Sequence, residues 1–367
     1  MKRGSIPVNV LIIQTAFLGD VILTTPLIRK IKEAFDNVEI SFLATPTGAK
    51  ILSGNPMLKE IITYDKHKTE ESFKALLRKG EFLRKRKFDI IFLPHRSFRS
   101  SFLGFLTRAH KRIGYNESAG SYFHTTRVKR DETKHEIERI LDLLTPIKSP
   151  VKRCCPELYP SGDDYNFIYE ELRDIFKEPF GWKVVIAPGS TWGTKRYPVI
   201  YYAEVGRLLL DAGIRFIIII GGKRDWKLCE EIKERIGKGA INVAGKFTPL
   251  QSTALISASS ILIGNDSAPA HMASAMGIPT VVVYGPTVPS FGFSPYGKLT
   301  RIVEIKGLRC RPCSPHGPRS CPLGHHMCLR NIQPLTVCNA ALDLIAQKFF
   351  YLRTTPELFK FPPPPPY

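Results

Sequence analysis

The feature that most constrains the fold is a series of short apolar segments, each ending in glycine or other small residues. In the first half, strands are predicted at Val8–Ile13, Val38–Ala44 and Phe88–Pro94, with helix-like segments at Val21–Phe35 and Glu70–Lys87. Strands that alternate with helices in this way form parallel sheets covered by helices on both faces. The sequence therefore predicts an α/β fold.

The same alternation begins again after a loop rich in Pro, Gly and Asp. Buried strands are predicted in "WKVVIAPGS", "IRFIIIIGGKRD", "SSILIGNDSAPAH" and "PTVVVYGPT". A length of 367 residues suits two domains better than one. We predict one domain at 1–178 and a second at 179–336. The last segment, 337–367, is predicted to be a helix that crosses back onto the first domain, followed by a proline-rich tail.

Positive charge is concentrated in one part of the chain, whose total net charge is +20. Between Lys66 and Arg153, 22 Lys/Arg stand against 10 Asp/Glu. Such a field attracts polyanions: nucleic acid, phosphorylated glycolipid or an anionic membrane surface. A solvated lysine-rich surface is the alternative. We expect no nucleic acid as partner, because the sequence contains no RNP-type motif and no interleaved aromatic and basic platform.

The location expected from the sequence is the cytoplasm. No apolar run approaches the roughly 20 residues that span a bilayer. The run Val10–Ile13 is too short for the core of a signal peptide.

The segment "IAPGSTWGTKRYP" has the composition of an anion site. Gly189 allows a tight turn after the strand, Ser190 and Thr191 offer hydroxyl and N–H donors, and Lys195 adds a cation. An ordinary loop with a solvated lysine is the alternative.

Two further strand-end loops have the same character. In "GNDSAPAH", Asp266 and Ser267 precede a predicted helix and His271 lies one turn into it; in "VVVYGPT", Gly285 and Thr287 follow a strand. Simple helix capping by Asp266 and a core role for His271 are the alternatives. Together the three loops predict a pocket for a nucleotide diphosphate. The P-loop pattern GxxxxGK[ST] is absent, as is GxGxxG after the first strand, which argues against a dinucleotide oxidoreductase.

These loops, together with "FLGDVILTTPLIRKI" near the start and a late Cys/His segment, carry a family resemblance. From about Val8 to Ile345 the chain resembles the ADP-heptose:lipopolysaccharide heptosyltransferases, glycosyltransferase family 9. The Cys/His segment resembles the heptosyltransferase II branch more than the heptosyltransferase I branch. The resemblance implies a GT-B fold, in which two Rossmann-like doubly wound parallel-sheet domains face each other across a cleft.

The resemblance also implies a role for each matching residue. Asp20 would be the general base for inverting transfer, although capping of the following helix is an alternative for it. Lys195 would compensate charge on the departing diphosphate. The donor-binding residues implied are Ser190, Thr191 and Lys195 on the phosphates, Phe247 near the adenine, Asp225 on the ribose, and Asp266, Ser267, Ala268 and His271 in the second nucleotide-sugar loop.

The acceptor is expected at the end of a strand of the first domain. The segment "PHRSFRS" places His95, Arg96 and Arg99 there, and arginine binds carboxylate and phosphate in bidentate fashion. A basic surface loop is the alternative.

The late cluster of cysteines has more than one interpretation. Its members are Cys310, Cys313, Cys321 and Cys328. One CxxC followed by two more cysteines can bind zinc or an iron–sulfur cluster, but paired CxxC knuckles are usual for structural zinc. A reduced loop or a redox-labile disulfide are the other possibilities, and we assign no metal or cofactor to the chemistry.

The function predicted is an inverting glycosyltransferase that moves heptose from ADP-heptose to the lipopolysaccharide inner core, with an existing heptose as acceptor. We expect a monomer at the cytoplasmic face of the inner membrane, in peripheral contact with it. The alternatives are addition of the first heptose or of another sugar, sugar-nucleotide binding without catalysis, and a basic nucleic-acid-binding protein.

Overall fold

The computed structural model describes residues 6–66, 68–178, 181–354 and 363. The chain forms two compact units, Met1–Tyr159 and Pro160–Tyr367. Among the described residues, no helix combines the length and the hydropathy that crossing a bilayer requires.

The first unit contains a six-stranded parallel sheet in the order β3-β2-β1-β4-β5-β6. Its strands are β1 (Val8–Ile13), β2 (Val38–Ala44), β3 (Glu60–Thr63), β4 (Ile90–Leu93), β5 (Lys111–Tyr115) and β6 (Thr126–Val128). Its helices are α1 (Leu18–Ala34), α2 (Pro46–Leu52), α3 (Phe73–Arg84), α4 (Phe98–Leu106) and α5 (Glu136–Asp142).

The central strands of this sheet are covered on both faces. Residues Val10–Ile13 of β1 and all of β4 are buried, as are Val21–Ile28 of α1. This continuous burial matches the unbroken apolar runs of the sequence, because strands in a parallel sheet contact helices on each side. Helix α1 begins three residues before its predicted start, which places Asp20 in its first turn.

The second unit contains another six-stranded parallel sheet, in the order β12-β11-β10-β7-β8-β9. Its strands are β7 (Lys183–Ala187), β8 (Phe216–Ile219), β9 (Ala240–Asn242), β10 (Ile261–Asn265), β11 (Thr280–Tyr284) and β12 (Thr300–Glu304). Its helices are α6 (Gly162–Glu171), α7 (Arg173–Phe176), α8 (Val199–Asp211), α9 (Trp226–Ile236), α10 (Pro249–Ser257), α11 (Ala268–Ala275), α12 (Met327–Arg330) and α13 (Pro334–Thr354).

Both sheets have the strand order of a Rossmann fold, 3-2-1-4-5-6 within each unit. The prediction of two doubly wound parallel sheets is confirmed. The order reverses between β1 and β4 in the first unit and between β7 and β10 in the second. Loops at the carboxyl ends of these strand pairs are the expected ligand-binding positions.

The division of the chain lies earlier than the predicted boundary at 178/179. Helix α6, which lies within the predicted first domain, packs against α10 of the second unit. Helix α13 packs against α8 and against β10, β11 and β12, also within the second unit. Its predicted crossing to the first domain stays a prediction, and the proline-rich tail lies outside the described residues except for Pro363.

Candidate functional site

Asp20 lies at the carboxyl end of β1, in the first turn of α1. Its Oδ2 accepts the N–H of Phe17 at 3.1 Å, so the predicted alternative of helix capping is real. Burial and, to a lesser extent, the charge of Glu136 raise the pKa of Asp20 to about 6, although backbone N–H groups and the charge of Arg130 act in the opposite direction. A carboxyl whose pKa is this near neutrality can take up a proton and release it again, which capping does not require.

A buried ion cluster lies near Asp20. Arg130 donates to both oxygens of Glu136, at 3.0 and 2.5 Å, and Arg139 donates to Glu136 at 3.1 Å. All three side chains are buried. In the sequence these residues belong to the basic region between Lys66 and Arg153. The sequence gives no sign that these residues fold inward, so their effect on Asp20 was missed.

His95, at the carboxyl end of β4, faces the end of β1. Its Nδ1 lies 3.1 Å from the hydroxyl of Thr15 and 2.9 Å from that of Ser100. Burial and, to a lesser extent, the charges of Lys66 and Arg96 lower the pKa of His95 to about 4. The imidazole is therefore neutral at neutral pH and can accept or donate a hydrogen bond without adding charge.

Lys66 is a residue that sequence reasoning missed. It follows β3, is half-buried, and has a pKa lowered by burial and by Arg99, while Asp20 acts in the opposite direction. Lys66 thus interacts electrostatically with Asp20, with His95 and with Arg99. Its position shortly after a strand could have indicated a site residue, but β3 itself was not predicted.

The two predicted acceptor arginines differ in their surroundings. Arg99 donates to the hydroxyl of Tyr64 at 3.0 Å and to the carbonyl of Glu71, so it holds the loop that follows β3. Arg96 is exposed, and its guanidinium lies 3.7 Å from the carboxylate of Glu132. Arg96 is the better placed of the two to bind an anion from solution.

In the second unit, three strand-end loops meet at one carboxylate. Lys195, from the loop after β7, donates to Oδ2 of Asp266, after β10, at 2.5 Å. Thr287, after β11, donates to the same oxygen at 2.8 Å. The lysine and aspartate side chains are only 12% and 11% exposed. Asp266 precedes Ser267, the N-cap of α11, so it does not cap that helix.

Asn265, the last residue of β10, joins two of these loops. Its amide donates to the carbonyl of Pro188 at 2.7 Å, and its Oδ1 accepts the N–H of Tyr197 at 3.0 Å and the hydroxyl of Tyr202 at 2.9 Å. Asn265 is fully buried, so its hydrogen bonds fix the course of the loop that carries Lys195. Asn265 lies within the segment "GNDSAPAH", but no role was predicted for it from the sequence.

Asp225 lies against the glycine turn after β7. A Cβ on Gly189 would approach its Oδ2 to 2.7 Å, and this oxygen accepts the N–H of Gly222 at 3.0 Å. Arg196 links the two loops, because it donates to the carbonyl of Ser190 at 3.0 and 2.8 Å and lies 3.5 Å from Asp225. Asp225, which is predicted to bind the ribose, is therefore a neighbour of Ser190, which is predicted to bind a phosphate.

The remaining predicted donor residues lie as follows. Thr191 is exposed, Ala268 begins α11, and His271 is buried within that helix. Phe247 precedes α10 and packs edge-on against Phe167, with ring centroids 6.2 Å apart. Adenine stacking by Phe247 stays a prediction.

The late Cys/His segment contacts two of the three strand-end loops. The side chain of Arg311 is buried. Its Nε donates to the carbonyl of Gly285 at 2.6 Å, and its Nη2 donates to the carbonyl of Thr287 at 2.7 Å. Thr194 donates to the carbonyl of Pro318 at 2.5 Å, next to Lys195. Arg311 was also missed, because its partners are backbone atoms that no sequence motif specifies.

The thiols of this segment differ in acidity. All eight cysteines are free, and no group of three or more His, Cys, Asp or Glu among the described residues is arranged to hold a metal ion. For Cys321, burial raises the pKa, but four backbone N–H groups, from His326, Leu323, Gly324 and His325, outweigh it and lower the pKa. Burial raises the pKa of Cys328 to about 11.

Comparison of the sequence with known protein families identifies the class of enzyme. The model described as glycosyltransferase family 9 (heptosyltransferase) matches residues 76–323. The chain belongs to this family. It is therefore a glycosyltransferase, and its two Rossmann-like sheets are those of the GT-B fold.

Curated relatives of this family 9 enzyme are similar over most of their length. The lipopolysaccharide core heptosyltransferase OpsX of Haemophilus influenzae is 27% identical over 304 residues, which are 82% of this chain and 85% of the relative. Lipooligosaccharide heptosyltransferase 2 of the same species is 24% identical over 362 residues, covering 92% and 100%. The solved structure of ADP-heptose LPS heptosyltransferase II from Escherichia coli has a TM-score of 0.75, at 22% identity, covering 93% and 99%.

Proposed function

We propose that this family 9 enzyme transfers heptose from ADP-heptose to the lipopolysaccharide inner core, and that an existing heptose is the acceptor. The names of the relatives support the sugar and the core acceptor. The observation that carries the proposal is the meeting of Lys195, Asp266 and Thr287 at the carboxyl ends of three strands. This arrangement offers a cation, a hydroxyl and a carboxylate to a sugar diphosphate.

On the acceptor side, Asp20 acts as the general base. Its carboxylate takes the proton from an acceptor hydroxyl as that oxygen forms a bond to the anomeric carbon of the donor. A pKa of about 6 keeps most of Asp20 ionised at neutral pH while leaving it basic enough for the transfer. Neutral His95 orients the acceptor, and Lys66 and Arg96 attract its anionic groups.

On the donor side, Lys195 stabilises the leaving group. The bond between the anomeric carbon and the β-phosphate oxygen breaks, and ADP leaves with the electron pair. Ser190, Thr191 and the N-terminus of α8 receive the phosphates, while Asp225 holds the ribose. Because two anions repel, Asp266 binds sugar hydroxyls and positions Lys195. Attack opposite the leaving diphosphate inverts the anomeric configuration.

The mechanism is tested by comparing two isosteric variants. Asp20→Asn removes the base, and Asp36→Asn alters an exposed aspartate of the same unit. We expect Asp20→Asn to bind ADP as the wild type does but to lose transfer by about 100-fold or more, with Asp36→Asn unchanged. NMR of the product gives its anomeric configuration. Retention of the donor's configuration, or near wild-type turnover by Asp20→Asn, would remove Asp20 as the base.

A further inference from the structure

A cluster of aromatic side chains lies at the surface of the first unit. We name it the aromatic patch, and its members are Phe73, Phe98, Phe102, Phe105, Tyr122 and Phe123. The ring of Phe102 lies 6.0 Å from Phe73 and 5.9 Å from Phe98, and the ring of Phe123 lies 4.8 Å from Phe105. The patch is continuous, although its members come from α3, α4 and the loop after β5.

Much of this apolar surface is open to solvent. The exposed fractions are 61% for Phe73, 45% for Phe98 and 65% for Tyr122. Exposure of contiguous aromatic rings is unfavourable in water, and such patches on soluble proteins mark interaction sites.

The sequence of the two helices explains why the rings point outward. In α4, Phe98, Phe102 and Phe105 follow the spacing of one helical face, while Ser100, Leu103 and Gly104 on the other face are buried. In α3, Phe73 and Leu77 form an exposed stripe, whereas Leu76, Gly80 and Leu83 face the protein. Each helix thus has a second apolar stripe, of which Phe73, Leu77, Phe98 and Phe105 are exposed.

Positive charge lies beside the patch. Seven Lys/Arg and one Glu lie between residues 73 and 87. A groove of about 400 Å³ at the edge of the patch is lined by three arginines and one glutamate together with apolar side chains: Arg84, Arg108, Arg112, Glu81, Leu77, Phe105 and Leu106. The guanidinium of Arg112 lies 5.9 Å from the ring centroid of Phe105. The same face therefore combines exposed aromatic rings with cations at its rim.

From this combination we propose that the aromatic patch and its basic rim dock the enzyme on an anionic lipid bilayer. Aromatic side chains favour the level of the lipid headgroups, and Lys and Arg near the surface are attracted by anionic lipids. A second copy of the chain is a poorer occupant, because two faces of the same positive charge repel each other.

This inference rests on the proposed function, because an acceptor that is anchored in a membrane must be reached at the membrane surface. Helix α4 begins at Phe98, three residues after His95. The patch thus adjoins the sheet edge where Asp20 and His95 lie. The interleaved aromatic and basic surface is not visible in the sequence, because its members come from separate segments that only the fold brings together.

The test measures binding of the full chain to vesicles that contain no acceptor. We expect co-sedimentation with vesicles of phosphatidylcholine mixed with phosphatidylglycerol, and much less with phosphatidylcholine alone. The double variant Phe73→Gln/Phe98→Gln is expected to lower the partition coefficient at least about tenfold. Arg84→Glu is expected to lower it as well, in a salt-dependent manner.

Matched controls come from exposed positions of the second unit, Leu335→Gln for the apolar change and Arg301→Glu for the charge change. Thermal unfolding confirms that each variant is folded. Equal binding by the wild type and the patch variants, or no binding to anionic vesicles, would overturn the proposal. Patch-dependent binding to a single-stranded oligonucleotide without vesicle binding would overturn it in favour of nucleic acid. Because the vesicles contain no acceptor, vesicle binding is measured independently of heptose transfer. Vesicle binding by an enzyme that transfers no heptose in a separate assay with ADP-heptose and an acceptor would refute the proposed function and leave the docking surface standing.

Discussion

Lys195 donates to Asp266 across 2.5 Å, and the pair joins the loops that follow β7 and β10. These are the two strands between which the strand order of the second sheet reverses. In the proposed mechanism Lys195 is the cation that meets the diphosphate of the donor, and the contact with Asp266 positions it.

Replacing Lys195 tests this relationship. Lys195→Met should weaken ADP binding by about 10- to 100-fold, the loss expected for a charge-assisted hydrogen bond. Isothermal titration calorimetry measures the affinity, and Lys227→Met at an exposed position serves as control.

The same variant should also be less stable, because it leaves the Asp266 carboxylate without its cation. Lys195→Met/Asp266→Asn removes this unpaired charge, so it should recover stability but not ADP affinity. Recovery of both would mean that Lys195 acts on folding and not on the donor.

The raised pKa of Asp20 predicts a gain of stability on its removal. Burial holds the folded-state pKa at about 6, above the ordinary value of 3.8. The folded protein thus retains a proton that the unfolded chain releases, and its stability falls as the pH rises from about 4 to about 6. Asp20→Asn should therefore be more stable than the wild type by about 1–3 kcal/mol at pH 8, and similar at pH 4.

Chemical denaturation at both pH values measures this difference. Asn can still accept the N–H of Phe17, so the helix cap is kept. Equal stability of the two proteins at pH 8 would show that Asp20 is not destabilised by burial.

The pH dependence of turnover should follow the same carboxyl. As the pH falls below about 6, Asp20 becomes protonated and kcat/KM should decrease about tenfold per pH unit. His95, with its pKa lowered to about 4, does not titrate in this range. A profile that stays flat down to pH 5 would exclude a base with the pKa of Asp20.

Two thiols of the late segment should react at different rates. The lowered pKa of Cys321 makes its thiolate more abundant, whereas burial raises the pKa of Cys328 to about 11. Iodoacetamide at pH 7.5 should alkylate Cys321 well before Cys328, as measured by mass spectrometry of peptides. Protection of both thiols until a chelator is added would instead favour the metal-bound interpretation, and protection until a reductant is added would favour a disulfide.

The central strands and the loops that follow them could be predicted, because the residues that determine each of them are neighbours in the sequence. The apolar runs of β1 and β2 have the bounds that their composition indicates. The loops containing Lys195, Asp266 and Thr287 follow such runs, and parallel strands bring their carboxyl ends to one edge.

Other features depend on contacts that the sequence does not encode locally. Strands β3, β5 and β6 are short and carry charged residues, so no apolar run marks them. Lys66 follows one of these strands and was missed with it. Glu136 and Arg130 belong to a charged segment whose burial only the folded unit makes evident.

The most direct test of the account is product analysis by mass spectrometry. The purified enzyme is incubated with ADP-heptose and either Kdo2-lipid A or its monoheptosylated form. We predict that one heptose mass is added to the monoheptosylated acceptor and none to Kdo2-lipid A. Addition to Kdo2-lipid A alone would contradict the second-heptose assignment, and no addition to either acceptor would contradict the proposed transfer itself.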